Sequence, residues 1–405
     1  MSVAGTATAA ESPARWRMLA LLACTQLAPM GLWFVGTAIA PMLAAQWALD
    51  APRVGWLTTA VQLGFVAGTA TAALLNLADV LPSRGYLATS ALLAAAANAG
   101  FAYAADFGPA LGFRFLTGFF LAGVYPPAMK MVATWFRAQR GLAIGVVVGA
   151  LTIGKATPYL VHALPQLGPR AFVLGASAAA ALTALVTALA YRDGPHPFAR
   201  RPFSWSLAGT VIRHRETRLA IAGYLGHMWE LYAMWAWLPV FLMASVSSNP
   251  AAGSTSVSPA VVDLLAFGAI AMGGLGSVWG GWAATQIGYA RVVTLAMACS
   301  AVCSLLIGLL FGGSLLPLVV LAWVWGFFVV ADSAQFSAMV TEVAPSHAVG
   351  TALTLQTSMG FLLTIVTIQL VPLLVGSIGW RWAFSVLAIG PALGIAAIAR
   401  LKRAG

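Results

Sequence analysis

Residues 114–161 read RFLTGFFLAGVYPPAMKMVATWFRAQRGLAIGVVVGALTIGKATPYLV. The stretch holds two apolar spans of about 20 residues each, and a helix of that length crosses the ~30 Å hydrocarbon core of a bilayer. A short basic hinge at Arg137 and Arg140 separates them. Each span nonetheless carries a cation, Arg114 in the first and Lys155 in the second. A charge at that depth is expensive, so such side chains face a bundle interior or a wet cavity. Gly118 and Ala122 in one span, and Gly141, Gly145 and Gly149 in the other, recur at four-residue spacing. Small residues at that spacing let helices approach closely and rock against one another. A pair of helices that merely anchored a domain in lipid has no use for either feature.

Composition extends this reading to the whole chain. Of 405 residues, 61% are hydrophobic and 8% charged, too apolar for a soluble domain and expected of a polytopic membrane protein whose partner is the lipid bilayer. The net charge of +11 is carried by basic residues scattered singly at the ends of apolar spans. That is a topology signature, so no nucleic-acid partner is expected. Cys24, Cys299 and Cys303 all fall inside apolar spans and form no disulfide framework. Cys299 and Cys303, one turn apart, suit helix packing better than a soft-metal site. The excess of arginine over lysine, 18 to 3, hints at a bacterial source.

Twelve spans follow, at about 18–45, 54–77, 85–105, 108–133, 141–165, 169–191, 218–244, 260–284, 290–312, 314–340, 347–374 and 380–399. The Ala38-Ile39-Ala40 triplet invites a signal-peptide reading, but the first run is too long for a signal core. The chain divides into a tail (1–17), an amino-terminal six-helix bundle (18–192), a basic linker (193–217) and a carboxy-terminal six-helix bundle (218–405). Twelve spans put both termini and the linker on one face, which holds 16 of the 21 Lys and Arg; the other face has Arg53, Arg170 and Arg381. The positive-inside rule places the richer face in the cytoplasm and the protein in a bacterial inner membrane.

An internal repeat supports two related halves. Leu75 to Arg84 after span 2 corresponds to Gly281 to Arg291 after span 8, and span 5 opens at Gly141 as span 11 opens at Gly350. Gly168-Pro-Arg170-Ala-Phe172 likewise matches Gly379-Trp-Arg381-Trp-Ala-Phe384. Three matches in the same order at nearly constant offset indicate duplication.

With six plus six spans, a basic central loop, Asp79 and Arg84 after span 2, and Arg114-x-x-x-Gly118 in span 4, the chain resembles the major facilitator superfamily over essentially its whole length. The resemblance implies an all-α fold of two pseudo-symmetric bundles, with spans 1, 4, 7 and 10 lining a central cavity most directly and spans 2, 5, 8 and 11 beside them. It also implies that Asp79 and Arg84 latch the halves, although Leu75, Val80, Pro82 and Ser83 depart from the family's loop pattern. The Tyr-Pro-Pro, Trp-Phe-Arg and Gly-Leu-Ala-Ile-Gly segments are loosely similar to bacterial nitrate, cyanate and organic-anion porters. The nitrate porters' paired arginines in spans 2 and 8 are absent, which disfavours nitrate.

The buried charges point to the same spans: Arg114 in span 4, Lys155 in span 5, Glu230 in span 7 and Asp332 in span 10. Lys155, Tyr159 and His162 share one face of span 5; Tyr224, His227, Glu230 and Met234 are expected on one face of span 7; Asp332 and Gln335 share one of span 10. A positive amino-terminal half and a negative carboxy-terminal half suit a small organic anion or zwitterion. Lys155, Tyr159, Arg114, Tyr125, Trp33, Trp325 and Gln335 are the candidate substrate contacts; Glu230, Asp332 and His227 are the candidate proton carriers. Competing readings are packing for the aromatics, a structural role for Arg114 and a Lys155–Glu230 gate across the halves.

A secondary transporter working as a monomer by alternating access, coupled to protons, is the function expected. Within the same fold a copper importer using His227, Met228 and Met234 is the alternative. An intramembrane enzyme is the alternative class; five histidines and the lack of a nucleophile elbow or zinc-protease motif weigh against it. A channel lacks its filter segment, no nucleotide-binding loop is present, and no cofactor is expected.

Overall fold

The computed structural model describes residues 13–136, 139–163, 168–196, 204–248 and 257–402, apart from the side chains of 78 and 79. Arg137 of the expected hinge lies outside these residues. Among those described, eleven helices are long and apolar enough to cross a membrane. They supply spans 1 (Ala14–Ala38), 2 (Ala51–Leu74), 4 (Phe107–Ala133), 5 (Arg140–His162), 6 (Pro169–Ala190) and 7 (Arg215–Ser247). Spans 8 (Pro259–Ile287), 9 (Tyr289–Leu310), 10 (Leu315–Val343), 11 (Val349–Ile378) and 12 (Trp380–Lys402) complete them. The remaining span 3 is the helix Ser83–Phe101, whose 19 residues reach roughly 28 Å. It opens on Ser83-Arg84 and buries Asn98, so its composition is less apolar while its place between spans 2 and 4 is the same.

Span boundaries differ from the sequence reading where backbone chemistry intervenes. The first span stops at Ala38, and the expected continuation to residue 45 is a separate helix, Ala40–Trp47, ended by Ala48 in the left-handed region (φ 50°). The linker carries a short helix, Trp205–Arg213, that buries Val211 against the ends of spans 7, 10 and 11. The backbone of Ser204 donates to the Thr351 hydroxyl of span 11, which holds this helix in place.

Packing reproduces the duplication. Span 1 packs on spans 5 and 6, span 2 on 4, and span 3 on 4 and 6; adding six to each number gives the pairs of the second half. The two halves meet along spans 5 and 8 and along spans 2 and 11, again related by that shift.

Three spans are interrupted near mid-membrane, and each break is repaired by a polar side chain, as backbone groups in a bilayer require. Span 1 narrows to a 3₁₀ turn at Leu32–Phe34, and Arg114 supplies donors to the Leu32 and Trp33 carbonyls. Span 4 turns at 122–124 ahead of Pro126-Pro127, and Gln26 donates to the Val124 carbonyl at 3.4 Å. Span 10 breaks at Asp332, and Gln335 donates to the Ala331 carbonyl at 2.8 Å.

Glycines bring spans 5 and 8 to backbone contact. A Cβ built on Gly149 would lie 2.9 Å from the Gly274 carbonyl oxygen, and one on Gly145 would lie 3.0 Å from that of Ser277. Away from the linker, the halves are tied by Gln369 Nε2 donating to Thr59 Oγ1 at 3.0 Å and by the His162–Asp263 pair at 2.8 Å. The face bearing the linker is called the linker side below, and the opposite one the far side.

Candidate functional site

Between the halves lies a cavity lined by residues of spans 1, 2, 4, 5, 7, 10 and 11, among them Trp33, Tyr125, Lys155, His227, Tyr232 and Phe361. About 70 Å³ of it is open to water-sized molecules. At about 10–15 Å³ for each water this holds a handful of waters. Its deep end is Lys155, almost completely buried at 2% exposure. The ammonium donates to the Tyr232 hydroxyl and lies 4.2 Å from the Trp33 ring centroid, 4.5 Å from Tyr232 and 5.3 Å from Trp235. Ring faces attract a cation, more strongly when both are out of water. Among the described residues no carboxylate lies within 4.0 Å of Lys155, so the Lys155–Glu230 pair of the competing gate reading is not formed in this conformation.

Arg114 is fully buried but does not line this cavity. Its guanidinium donates to the Leu32 carbonyl at 2.8 Å, the Trp33 carbonyl, the Leu57 carbonyl at 3.4 Å and Asn98 Oδ1 at 3.2 Å. Asn98 is itself held by Ser177 of span 6 at 3.0 Å. Arg114 thus sets the backbone that carries the Trp33 ring over Lys155, acting on the site through Trp33.

Nearer the linker side, His227 lines the cavity from span 7. Its Nδ1 lies 2.9 Å from Asp332 Oδ1, within ion-pair range though off hydrogen-bond geometry, and its Nε2 is 3.0 Å from the Ser333 hydroxyl. Asp332, itself buried, is at the break of span 10 between the helices Leu315–Ala331 and Ser333–Val343. Glu230 faces away from the cavity: Oε1 accepts from Trp325 Nε1 at 2.7 Å and Oε2 from Ser300 Oγ at 2.6 Å.

This arrangement can now be set beside known proteins. The family profile described as Major Facilitator Superfamily matches residues 21–247, more than half of the sequence. The chain belongs to the major facilitator superfamily. Among solved structures it is similar to a bacterial homologue of the human lysosomal transporter Spinster, inward-facing and unoccupied, with a TM-score of 0.72, 14% identity, and coverage of 97% of this chain and 98% of that one. The occupied, inward-facing form of that homologue gives a TM-score of 0.69 at 16% identity, covering 97% of each chain. A point mutant of the nucleoside transporter NupG gives 0.70 at 15% identity, covering 96% and 99%. At such identities the likeness concerns the fold. No curated protein matches the sequence. The superfamily member is a secondary transporter working by alternating access, and the enzyme reading falls.

Of the substrate contacts expected from the sequence, this facilitator brings Trp33, Tyr125 and Lys155 to the cavity. Trp325 holds Glu230, Gln335 holds the Ala331 carbonyl, and Arg114 holds the turn of span 1. Tyr159 is buried outside the cavity with no hydrogen-bond partner for its hydroxyl among the described residues. His227 and Met228 reach the cavity while Met234 is buried elsewhere, which splits the three ligands of the copper reading. Of the latch pair, the Asp79 side chain lies outside the described residues, and Arg84 Nη1 is 3.5 Å from the Tyr191 carbonyl within its own half. Tyr232, Phe65 and Phe361 are the site residues that sequence reasoning missed. Span 7 holds the signal that finds Tyr232: positions 224, 227, 228, 231, 232 and 235 form one helical stripe. The expected face of 224, 227, 230 and 234 drifts off that stripe by about 60° at each three-residue step.

Proposed function

We propose that the protein carries a small organic anion together with protons across a bacterial inner membrane, as a monomer with linker and termini in the cytoplasm. The observation that carries this reading is Lys155: a cation buried at the deep end of the central cavity, with ring faces and one hydroxyl around it and, among the described residues, no carboxylate within 4.0 Å. Ring faces offset only ~0.5–2 kcal/mol of the penalty for such a charge. An anionic group on the substrate supplies the counter-charge. No described residue lining the cavity is an acid, and Asp332 beside it is paired with His227, which favours an anion over a zwitterion.

Protons are assigned to His227 and Asp332. His227 lines the cavity and Asp332 stands beside it at the span 10 break, where a change in span angle alters the surroundings of the pair. Glu230 stands one layer behind. The excess of basic residues on the linker side supports the cytoplasmic assignment.

Uptake into proteoliposomes tests the reading, using a panel of monocarboxylates, sugar acids, amino acids and copper, with and without a pH gradient. Wild type is expected to accumulate an organic anion with the gradient, and Lys155→Ala to lose it. Normal uptake by the variant, or movement of copper alone, would overturn the assignment.

A further inference from the structure

The cavity is graded along its length, and the grading bears on what the anion looks like. Its deep end is walled by rings from both halves: Trp33 and Phe65 from spans 1 and 2, and Tyr232, Trp235 and Phe361 from spans 7 and 11. Their centroids are 4.5–5.7 Å apart in the contacting pairs, all in tilted or edge-on arrangements. The linker-side end carries hydroxyls instead, from Tyr224, Ser333, Ser337 and Thr357. Tyr224 and Tyr232, both cavity residues, are eight positions apart on span 7, or roughly 12 Å.

We propose that the anion is a monocarboxylate built on a flat aromatic ring, with a neutral hydrogen-bonding group at the end opposite the carboxylate. This rests on Lys155 being the anion-binding group. One cation balances one negative charge; among the described lining residues no second lysine or arginine is there to meet another carboxylate, which would be desolvated unpaired. A flat ring entering between tilted ring faces gains offset and edge-on contacts that a puckered ring of the same size and charge does not. A hydroxyl at the far end of the ring points along the cavity toward the serine and tyrosine hydroxyls, where a hydrogen bond replaces water.

Equilibrium binding to the purified full-length protein in lipid nanodiscs, read by calorimetry, tests this with five probes: benzoate, 4-hydroxybenzoate, cyclohexanecarboxylate, fumarate and benzamide. Benzoate is expected to bind roughly 2–12-fold more tightly than cyclohexanecarboxylate. 4-Hydroxybenzoate should gain a further factor of roughly 2–12 from its hydrogen bond. Fumarate and benzamide should bind far more weakly than either. In Phe361→Leu the benzoate preference should fall toward unity while binding still requires Lys155. Equal binding of benzoate and cyclohexanecarboxylate, both abolished by Lys155→Ala, sinks the ring inference and leaves the anion reading standing. Tighter binding of fumarate also sinks it. If no carboxylate binds, or if binding survives Lys155→Ala, the underlying assignment of Lys155 fails instead. The wild-type ratios decide the matter even if a variant does not fold.

Discussion

Lys155 of the amino-terminal half donates its hydrogen bond to the hydroxyl of Tyr232 in the carboxy-terminal half. The cation of the candidate site is therefore also a strut between the two bodies that rock. Opening the far side separates them, and the strut must be exchanged for water or substrate. Tyr232→Phe keeps the ring face and removes the acceptor. A net hydrogen-bond contribution of ~0.5–1.5 kcal/mol corresponds to a population shift of roughly 2–12-fold toward the far-side-open state. Labelling of a single cysteine placed at Thr59 should accelerate by that factor.

Arg114 is expected to matter through stability first and affinity second. It supplies donors to three backbone carbonyls and to Asn98, all buried. Arg114→Ala leaves these acceptors unpaired, at about 1–3 kcal/mol each where no water enters. A large drop in melting temperature is expected, with Arg114→Lys recovering part of it. Because the guanidinium sets the Trp33 backbone, the lysine variant should also bind the transported anion more weakly. Full affinity in a folded Arg114→Lys protein would show that Trp33 is positioned without it.

The fold was legible in the sequence because lipid imposes simple demands: span length, charge at span ends and small residues at helix contacts. Gly145 and Gly149 sit at a close helix contact, as their spacing suggested, and the structure identifies the partner as span 8. The site was legible only in part. A buried charge announces itself, so Lys155 was found, but a helix that is apolar all round does not say which face meets the cavity. Glu230 illustrates this, since Trp325 and Ser300, from two other spans, satisfy its carboxylate and hold it away from the cavity. The breaks in spans 1, 4 and 10 were equally hidden. The repair of spans 1 and 4 by Arg114 and Gln26 depends on contacts between residues far apart in the chain, whereas Gln335 reaches only four residues back, to Ala331. Asp263 went unread for the same reason: its partner His162 is 101 positions away.

That pair bridges spans 5 and 8 on the far side, each side chain 15% exposed. Partial exposure limits such a contact to about 0.2–1 kcal/mol. Asp263→Asn and His162→Gln are each expected to loosen far-side closure by only a few-fold. The double variant should resemble either single one, as a double-mutant cycle on inward- and outward-facing populations would record. Strictly additive effects would mean that the two side chains act independently.

Two glycines of similar sequence context should respond in opposite directions to the same change. Gly149 faces the Gly274 carbonyl of span 8, so a methyl there has to push two helices apart. Gly149→Ala is expected to destabilise by about 1–3 kcal/mol, and to slow transport if the spans rock on this contact. Gly175 of span 6 has nothing within 4 Å of a built Cβ. Gly175→Ala should be neutral or stabilise by about 0.5–1 kcal/mol through its helix preference. Thermal unfolding in one detergent compares the two directly.

The two buried acids of the carboxy-terminal half separate by location. Asp332 meets the cavity residue His227 at a helix break, whereas Glu230 is enclosed by Trp325 and Ser300 away from the cavity. A proton that travels with the substrate has to reach a group whose surroundings change between the two conformations, and the cavity pair meets that condition directly. Asp332→Asn is therefore expected to abolish the response of uptake to an imposed pH gradient while leaving solute counterflow, which needs no net proton movement, close to wild type. Glu230→Gln is expected to keep the gradient response and to lose stability by about 1–3 kcal/mol, because an amide can offer only one acceptor to two donors. Gradient-driven uptake and counterflow measured on the same vesicles distinguish the cases. If Glu230→Gln uncouples and Asp332→Asn does not, the proton passes through the layer behind the cavity, and Trp325 becomes the side chain that connects it to span 10.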